Sequence, residues 1–198
     1  MTPQSHSPRP PDLINPVTGD RLWFVQLPAG ADQSLVFECQ LPARSKGTPV
    51  HVHTRITERF ECVEGELSMI LGDVANPIRL ARGQAADVPI GTPHRFWNAA
   101  DLPVRFRGTV TPGVDFEAFL RMVYALGIAG RVGPSGMPRS PVQLAVLREL
   151  SDLYFAGVPM FIQRPLFAAL SLLATVGGAR SRLHLLASNS HPHTPRSA

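Results

Sequence analysis

Residues 51–66 read HVHTRITERFECVEGE and open with two histidines separated by one residue. In a β-strand, side chains two positions apart point to the same face, so His51 and His53 can project together into one interior. Glu58 and Phe60 share a parity on the run that follows, so a carboxylate can face the same interior. The stretch therefore predicts two short strands that bring two imidazoles and a carboxylate together.

A second stretch, residues 83–98, reads GQAADVPIGTPHRFWN and places His94 shortly after a Pro-x-Gly turn. Three imidazoles and one carboxylate suit Fe, Mn, Ni, Co or Zn, and an octahedral ion would keep two positions open. An isolated His-x-His could instead mark a solvated strand edge, but the additional Glu58 and His94 favour a metal site. The predicted ligands of one divalent ion are His51, His53, Glu58 and His94.

The surrounding sequence predicts many short strands. Apolar runs of about four to eight residues, separated by glycines and prolines, are typical of a β-sandwich or barrel. They occupy residues 21–27, 34–41, 49–54, 59–64, 66–72, 77–81, 85–90, 94–98 and 103–110. In the last run Val104 and Phe106 alternate with Arg105 and Arg107, which indicates one buried and one solvated face.

The periodicity becomes helical after Pro112. A first helix is indicated by Phe116, Phe119, Leu120 and Val123. A second begins at Ser140, which can cap it, with Pro141 in the first helical position. A third covers residues 165–176, and the Gly- and Pro-rich segment 131–139 is expected to be a loop. The predicted order is a disordered tail over 1–12, a β-barrel over 13–114, a helical extension over 115–187 and a second disordered tail over 188–198.

The two histidine-containing stretches resemble the paired motifs of the cupin superfamily. The first family motif has His-x-His, three or four residues, Glu, six residues and Gly, which His51, His53, Glu58 and Gly65 match. The second has Gly, five residues, Pro-x-Gly, two residues, His, three residues and Asn. It is matched at Gly83, Pro89, Gly91, His94 and Asn98. The one departure from the family pattern is Gly47, which lies closer in sequence to His51 than the glycine of the first family motif does to its first histidine.

The resemblance implies a mainly β fold, a cupin jelly-roll barrel followed here by C-terminal α-helices, and a metal bound by the three histidines and Glu58. Asn98 is expected to be a turn residue rather than a ligand. Phe60 and Phe96 are candidates for the wall of a substrate pocket, although aromatic residues in a barrel are more often packing residues.

The positive charge is spread along the chain. The net charge is +4, Lys46 is the only lysine, and acidic residues are interspersed among the arginines. This pattern is typical of a solvated surface, so no nucleic-acid partner is expected. Residues 1–12 lack an apolar run of signal-peptide length, and residues 165–179 fall short of the roughly 20 that a membrane helix needs. We therefore expect a cytoplasmic protein without a membrane partner.

Three functions are open at this stage, because the cupin fold serves many chemistries. The first hypothesis is a dioxygenase-type oxidoreductase, resembling small quercetin-dioxygenase-like cupins, that acts on a small oxygen-bearing organic molecule. Glu58 would be a ligand or, when detached, a general base. The alternatives are a non-enzymatic binding or sensing protein and a metal-assisted isomerase or epimerase. The apolar stripe on the C-terminal helices predicts packing on the barrel or across a homodimer.

Overall fold

The predicted strand runs form a series of short β-strands in the computed structural model, which describes residues 9–31 and 33–190. The strands in these ranges are β1 (Leu13–Ile14), β2 (Arg21–Gln26), β3 (Leu35–Leu41), β4 (His51–His53), β5 (Thr57–Glu64), β6 (Glu66–Leu71), β7 (Asp73–Ala81), β8 (Ala85–Val88), β9 (His94–Trp97), β10 (Val104–Thr111) and β11 (Leu153–Phe155). The helices are α1 (Val114–Ile128), α2 (Pro141–Ser151), α3 (Met160–Val176) and α4 (Ala179–Ser190).

The strands form two antiparallel sheets. One has the order β1-β2-β3-β10-β5-β8 and the other β11-β4-β9-β6-β7, so strands distant in sequence lie side by side. Their buried faces enclose a common hydrophobic core, in the manner of a jelly roll. The predicted fold class, a mainly β jelly-roll barrel followed by C-terminal helices, is confirmed.

Strand β10 has the predicted alternation. Val104 and Phe106 are buried in the core, whereas Arg105 and Arg107 point to the other face. Both arginines bind the buried carboxylate of Glu38, at 2.6 and 2.8 Å, and remain about one third exposed. The outer face of this sheet is thus only partly solvated, because Glu38 lies beneath the two guanidinium groups.

The helical extension packs directly on the barrel. Phe116 and Leu120 of α1 join the barrel core, and Phe119 lies between this core and a second cluster formed by the helices. Helix α2 begins as predicted, with the Ser140 hydroxyl accepting a hydrogen bond from the backbone N–H of Gln143. The predicted helical periodicity is confirmed in both helices.

The extension also contains elements that the sequence did not predict. Strand β11 has only three residues, which is too short for a periodic signal, and α4 has a largely polar sequence. Helix α3 begins at Met160 rather than Pro165, so Pro165 lies inside the helix and cannot donate to the carbonyl of Phe161. Most apolar side chains on α3 are exposed, and the self-association expected from this stripe stays a prediction.

The expected disordered tails lie largely outside the described residues, since 1–8 and 191–198 are not described. Arg9 is held by its ion pair with Asp12 and by a hydrogen bond to the carbonyl of Phe24. Helix α4 continues to Ser190, past the boundary expected at residue 188, because Ala187 still packs in the helical cluster. Within the described ranges no single helix is long and apolar enough to span a membrane. Helices α3 and α4 together reach the required length and apolar composition, but the chain bends by 73° between them.

Candidate metal centre

Strand β4 presents two histidines to the barrel interior. His51 and His53 are buried and the intervening Val52 is only half-buried, which confirms the parity expected from the sequence. His94, on β9, pairs directly with His51 across the two strands. The rings of His51 and His94 have centroids 4.2 Å apart, and those of His51 and His53 are 4.9 Å apart. Strand pairing therefore brings the three imidazoles together.

Glu58 reaches the same point from β5, where buried and exposed residues alternate. Its Oε2 atom lies 2.7 Å from Nε2 of His94 and 3.3 Å from Nε2 of His53. One potential ligand atom from each of the four residues lies within 4.8 Å of all the others, and all four residues are buried. The structure thus brings the four predicted ligands into one group that could hold a metal ion.

The unpaired atoms of this group test whether a metal fits. Despite the short separations, Oε2 of Glu58 and Nε2 of His53 and His94 lack a hydrogen bond of acceptable geometry within the described part of the chain. Buried polar atoms without partners are costly, by about 1–3 kcal/mol each. A divalent cation would accept all of these lone pairs at once, and imidazole and carboxylate are ligands that first-row transition ions prefer. The arrangement fits a bound divalent metal.

Backbone carbonyls orient two of the imidazoles. Nδ1 of His51 lies 2.8 Å from the carbonyl oxygen of Pro49, and Nδ1 of His94 lies 2.9 Å from that of Thr92. A proton on each Nδ1 makes these contacts hydrogen bonds and leaves the Nε2 lone pair free. This is the tautomer that a metal bound at Nε2 requires, and such outer contacts fix the orientation of metal-binding histidines.

The protonation states suit ligands as well. Burial, with the neighbouring His94, lowers the pKa of His51 to about 3, so that imidazole is neutral near pH 7. Burial alone would raise the pKa of Glu58, but the imidazoles of His53 and His94 outweigh it and lower this pKa. Burial likewise opposes protonation of His53, but the Glu58 carboxylate raises its pKa overall. A metal would therefore compete with a proton at His53.

A cavity of about 390 Å³ opens next to this group and has largely apolar walls. Phe60 and Phe96, the predicted pocket residues, both line it, with ring centroids 5.3 Å apart. Helix α1 supplies another part of the wall, and the ring of Phe116 lies 6.2 Å from that of His53. This contribution of α1 was not predicted, because a helical period shows which residues share a face but not what that face covers.

The C-terminal extension also supports the strand that carries two of the ligands. Strand β11 pairs antiparallel with β4, placing Leu153 opposite His53. The carboxylate of Asp152, at the end of α2, accepts hydrogen bonds from the backbone N–H groups of Thr54 and Arg55, at 2.6 and 2.7 Å. This contact could not be predicted, since the only sequence feature at this position is an aspartate before a three-residue apolar run. The extension thus fixes the backbone immediately after His53.

The turn residues of the two motifs are structural. The Asn98 amide donates to the carbonyls of Pro42 and Leu102, which confirms it as a turn residue rather than a ligand. Gly47 has a φ of +62°, and a Cβ atom there would lie 1.7 Å from the carbonyl oxygen of Phe96. The displaced glycine of the first motif therefore serves a close approach of two backbone segments.

Comparison with known proteins gives a family match for the barrel. Residues 37–111 match the Cupin_2 family model, described as a cupin domain, and this range contains all four candidate ligands. The match supports a place for the barrel in the cupin superfamily. No curated protein matches the chain.

Among solved structures, the similar chains share little sequence with this one. The cupin domain of Cnp3 from Schizosaccharomyces pombe is 20% identical, with a TM-score of 0.38, over 45% of this chain and 63% of that one. The Cupin_2 domain of an XRE-family transcriptional regulator from Enterobacter cloacae is 17% identical, with a TM-score of 0.40, over 46% and 94%. A cupin-superfamily sugar phosphate isomerase from Silicibacter pomeroyi is 23% identical, with a TM-score of 0.43, over 52% and 66%.

Proposed function

We propose that this protein, whose residues 37–111 match a cupin domain, is a metal-dependent enzyme of the dioxygenase type that acts on a small oxygen-bearing organic molecule. The observation that carries the proposal is the group of four buried side chains whose ligand atoms converge beside a largely apolar cavity. Atoms of His53, Glu58 and His94 in this group lack hydrogen-bond partners in the described part of the chain. The metal would be held by His51, His53, Glu58 and His94.

The protein's own residues would hold the ion, exclude water and position the substrate. Phe60 and Phe96 give the cavity an apolar wall that favours an organic substrate over bulk water. Glu58 is ionised in its pocket, so it could serve as a ligand or, if released, take up a proton from a substrate hydroxyl. A bound divalent ion would supply Lewis acidity and, if it is Fe, Mn, Ni or Co, redox chemistry with dioxygen. Zinc would supply Lewis acidity alone.

The test begins with elemental analysis of protein purified without added metal, followed by oxygen uptake with catechols, flavonols and diketones. The substitution His94→Ala should remove bound metal and oxygen uptake together. His184→Ala, on the exposed surface of α4, is the matched control and should change neither. Turnover that survives in metal-free protein would overturn the proposal.

A second candidate is a binding or sensing protein without turnover. It is favoured by one observation, namely that α1 and α2 of the extension form part of the cavity wall, so a ligand would touch helices as well as the barrel. Bound metal without oxygen uptake on any substrate would favour this candidate or a metal-assisted isomerase. Product analysis of the same incubations separates these two, since only the isomerase changes the ligand.

A further inference from the structure

One face of α3 is apolar and open to solvent along the whole helix. At about 100° per residue, its large exposed side chains lie within an arc of about 140°, and no polar residue falls inside this arc. A continuous exposed apolar patch, unlike a single exposed residue, indicates a surface that contacts a partner. The residues of this patch, called here the α3 face, are Phe161, Ile162, Leu166, Leu172, Leu173 and Val176.

The orientation of α3 is fixed by contacts on its opposite side. The Gln163 side chain accepts a hydrogen bond from the backbone N–H of Phe155 at 2.9 Å. It also donates to the carbonyls of Phe155 and Val158, at 2.9 and 2.8 Å. Phe167 and Ala174 are buried on the same side of the helix. The helix therefore cannot turn to bury the α3 face without breaking these contacts.

The net positive charge of the chain is concentrated in the segment that contains this helix. Residues 1–152 contain 15 lysine and arginine residues and 15 acidic residues, which balance each other. Residues 153–198 contain four arginines and no acidic residue, so this segment carries the whole net charge of +4. The exposed apolar face and the unbalanced positive charge thus belong to the same part of the chain.

Two arginines of α3 and α4 have no carboxylate partner. Arg164 is exposed and lies at the border of the α3 face by the helical period, and Arg182 of α4 is exposed as well. Among residues 9–31 and 33–190, none of the ion pairs includes either of them. Arg180 differs, because it is paired with Glu149. Arg164 and Arg182 can therefore pair with anionic groups from outside this part of the chain.

The terminal segments and a second copy fit this surface less well than an anionic membrane does. Residues 1–8 and 191–198 contain Met1 as their only large apolar residue, so they offer little to cover the α3 face. The same surface of a second copy could bury the apolar side chains, but residues 153–190 supply no carboxylate for Arg164 or Arg182. A bilayer with anionic lipids supplies both an apolar interior and phosphate groups.

We propose that the α3 face lies in the surface of a membrane that contains anionic lipids, with Arg164 and Arg182 paired to headgroup phosphates. Such a helix lies parallel to the bilayer, with its apolar side below the headgroups and its basic side chains extended toward them. The expectation of no membrane partner rested in part on the length of the apolar segments, and a helix at the interface needs no spanning length. The inference concerns the surface of the extension and does not depend on the reaction in the cavity.

Flotation of the full chain with lipid vesicles tests the inference. Vesicles of phosphatidylcholine and phosphatidylglycerol are compared with vesicles of phosphatidylcholine alone, at low and at high salt. The wild-type chain should float with the anionic vesicles, and its affinity should fall at high salt, because salt screens the attraction. Flotation is preferred to sedimentation because aggregated protein does not float.

A first pair of variants tests the apolar contacts. Leu172→Gln combined with Leu173→Gln should weaken vesicle binding at least roughly 10-fold, since two apolar side chains leave the bilayer. Val74→Gln combined with Leu102→Gln is the matched control, because both residues are exposed and lie outside the extension. The control should bind vesicles as the wild-type chain does.

A second pair of variants tests the charge. Arg164→Gln combined with Arg182→Gln should weaken binding to anionic vesicles roughly 10- to 30-fold, since each arginine near the surface contributes about fivefold. Arg79→Gln combined with Arg82→Gln removes the same net charge from β7 and the turn after it. This control should change the affinity by less than about twofold, because general attraction between net charges is only a small part of the effect.

Three results would overturn the inference. The first is a wild-type chain that binds anionic vesicles no better than neutral ones, and the second is an equal loss of binding in the two arginine pairs. The third comes from sedimentation equilibrium without lipid. If the wild-type chain is a dimer there and the Leu172 and Leu173 variant is a monomer, the α3 face is covered by a second copy instead. Thermal unfolding checks that each variant keeps the wild-type fold.

Discussion

Asp152 connects the helical extension to the strand that carries His53, and its replacement should weaken both stability and metal binding. The carboxylate is 3% exposed, and its Oδ2 atom accepts hydrogen bonds from the backbone of Thr54 and Arg55 at 2.6 and 2.7 Å. The hydroxyl of Thr54 adds a contact at 3.0 Å. Arg55 is 69% exposed, so its ion pair with Asp152 should contribute less than about 1 kcal/mol.

Two substitutions at Asp152 separate the charge from the hydrogen bonds. Asparagine tolerates the left-handed backbone of this residue, where φ is 51°, and its single carbonyl oxygen can still accept from both N–H groups. We therefore expect Asp152→Asn to lower the free energy of unfolding by about 1–2 kcal/mol, the difference between charged and neutral hydrogen bonds. Asp152→Ala leaves two backbone donors without an acceptor and should lower it by about 3–5 kcal/mol.

The assay is urea unfolding of metal-free protein, combined with Co²⁺ titration against a competing chelator. Loss of the support behind His53 should weaken metal binding by roughly 10- to 100-fold in Asp152→Ala, as for other outer contacts of metal ligands. Asp101→Ala removes an exposed carboxylate paired with Arg44 and should change stability by less than about 1 kcal/mol. If Asp152→Ala proves no more destabilising than Asp101→Ala, or leaves Co²⁺ affinity intact, the reasoning fails.

Two further predictions concern the cavity and its backbone. Gly47→Ala should lower the free energy of unfolding by about 3 kcal/mol or more in urea, because the new Cβ would overlap the Phe96 carbonyl. Gly72 also has a positive φ but open space around it, so Gly72→Ala should lower it by only about 1 kcal/mol. Equal losses in the two variants would contradict the assigned contact. Partial burial raises the pKa of Asp20, so its stabilising contribution is present at low pH and lost as pH rises through that pKa. Asp20→Asn should therefore gain stability over wild type as the pH is raised from 3 to 7, as measured by urea unfolding at each pH. A difference in stability that is constant across this range would refute the assignment.

The part of the site that could be predicted from sequence depends on local geometry. Strand parity is set by the backbone, so the shared inward face of His51 and His53 follows from their spacing alone, whereas that of Glu58 depends on where the next strand begins. The meeting of His51 with His94 depends on pairing of distant strands, which parity does not show; the ligand chemistry of the four residues and the resemblance to a known motif pair indicated it.

The elements that were not predicted depend on contacts with distant parts of the chain. Strand β11 forms by pairing with the edge of β4, and its three residues are too few to show a periodic pattern that would predict a strand. Helix α4 is held by Leu183 and Ala187, although most of its residues are polar. The part of the cavity wall formed by α2 could not be predicted, because the helical period does not show which face of a helix turns toward the barrel.

The pairing of β11 with β4 has a consequence for synthesis of the chain. Asp152 binds Thr54 across 98 residues, so β4, which carries His51 and His53, gains its second neighbour, β11, only after most of the polypeptide has left the ribosome. Until then β4 is the last strand of its sheet, and its free N–H and C=O groups can recruit another nascent chain. Chains that stop before residue 152 should therefore aggregate more readily than full-length protein, even though they contain every candidate metal ligand.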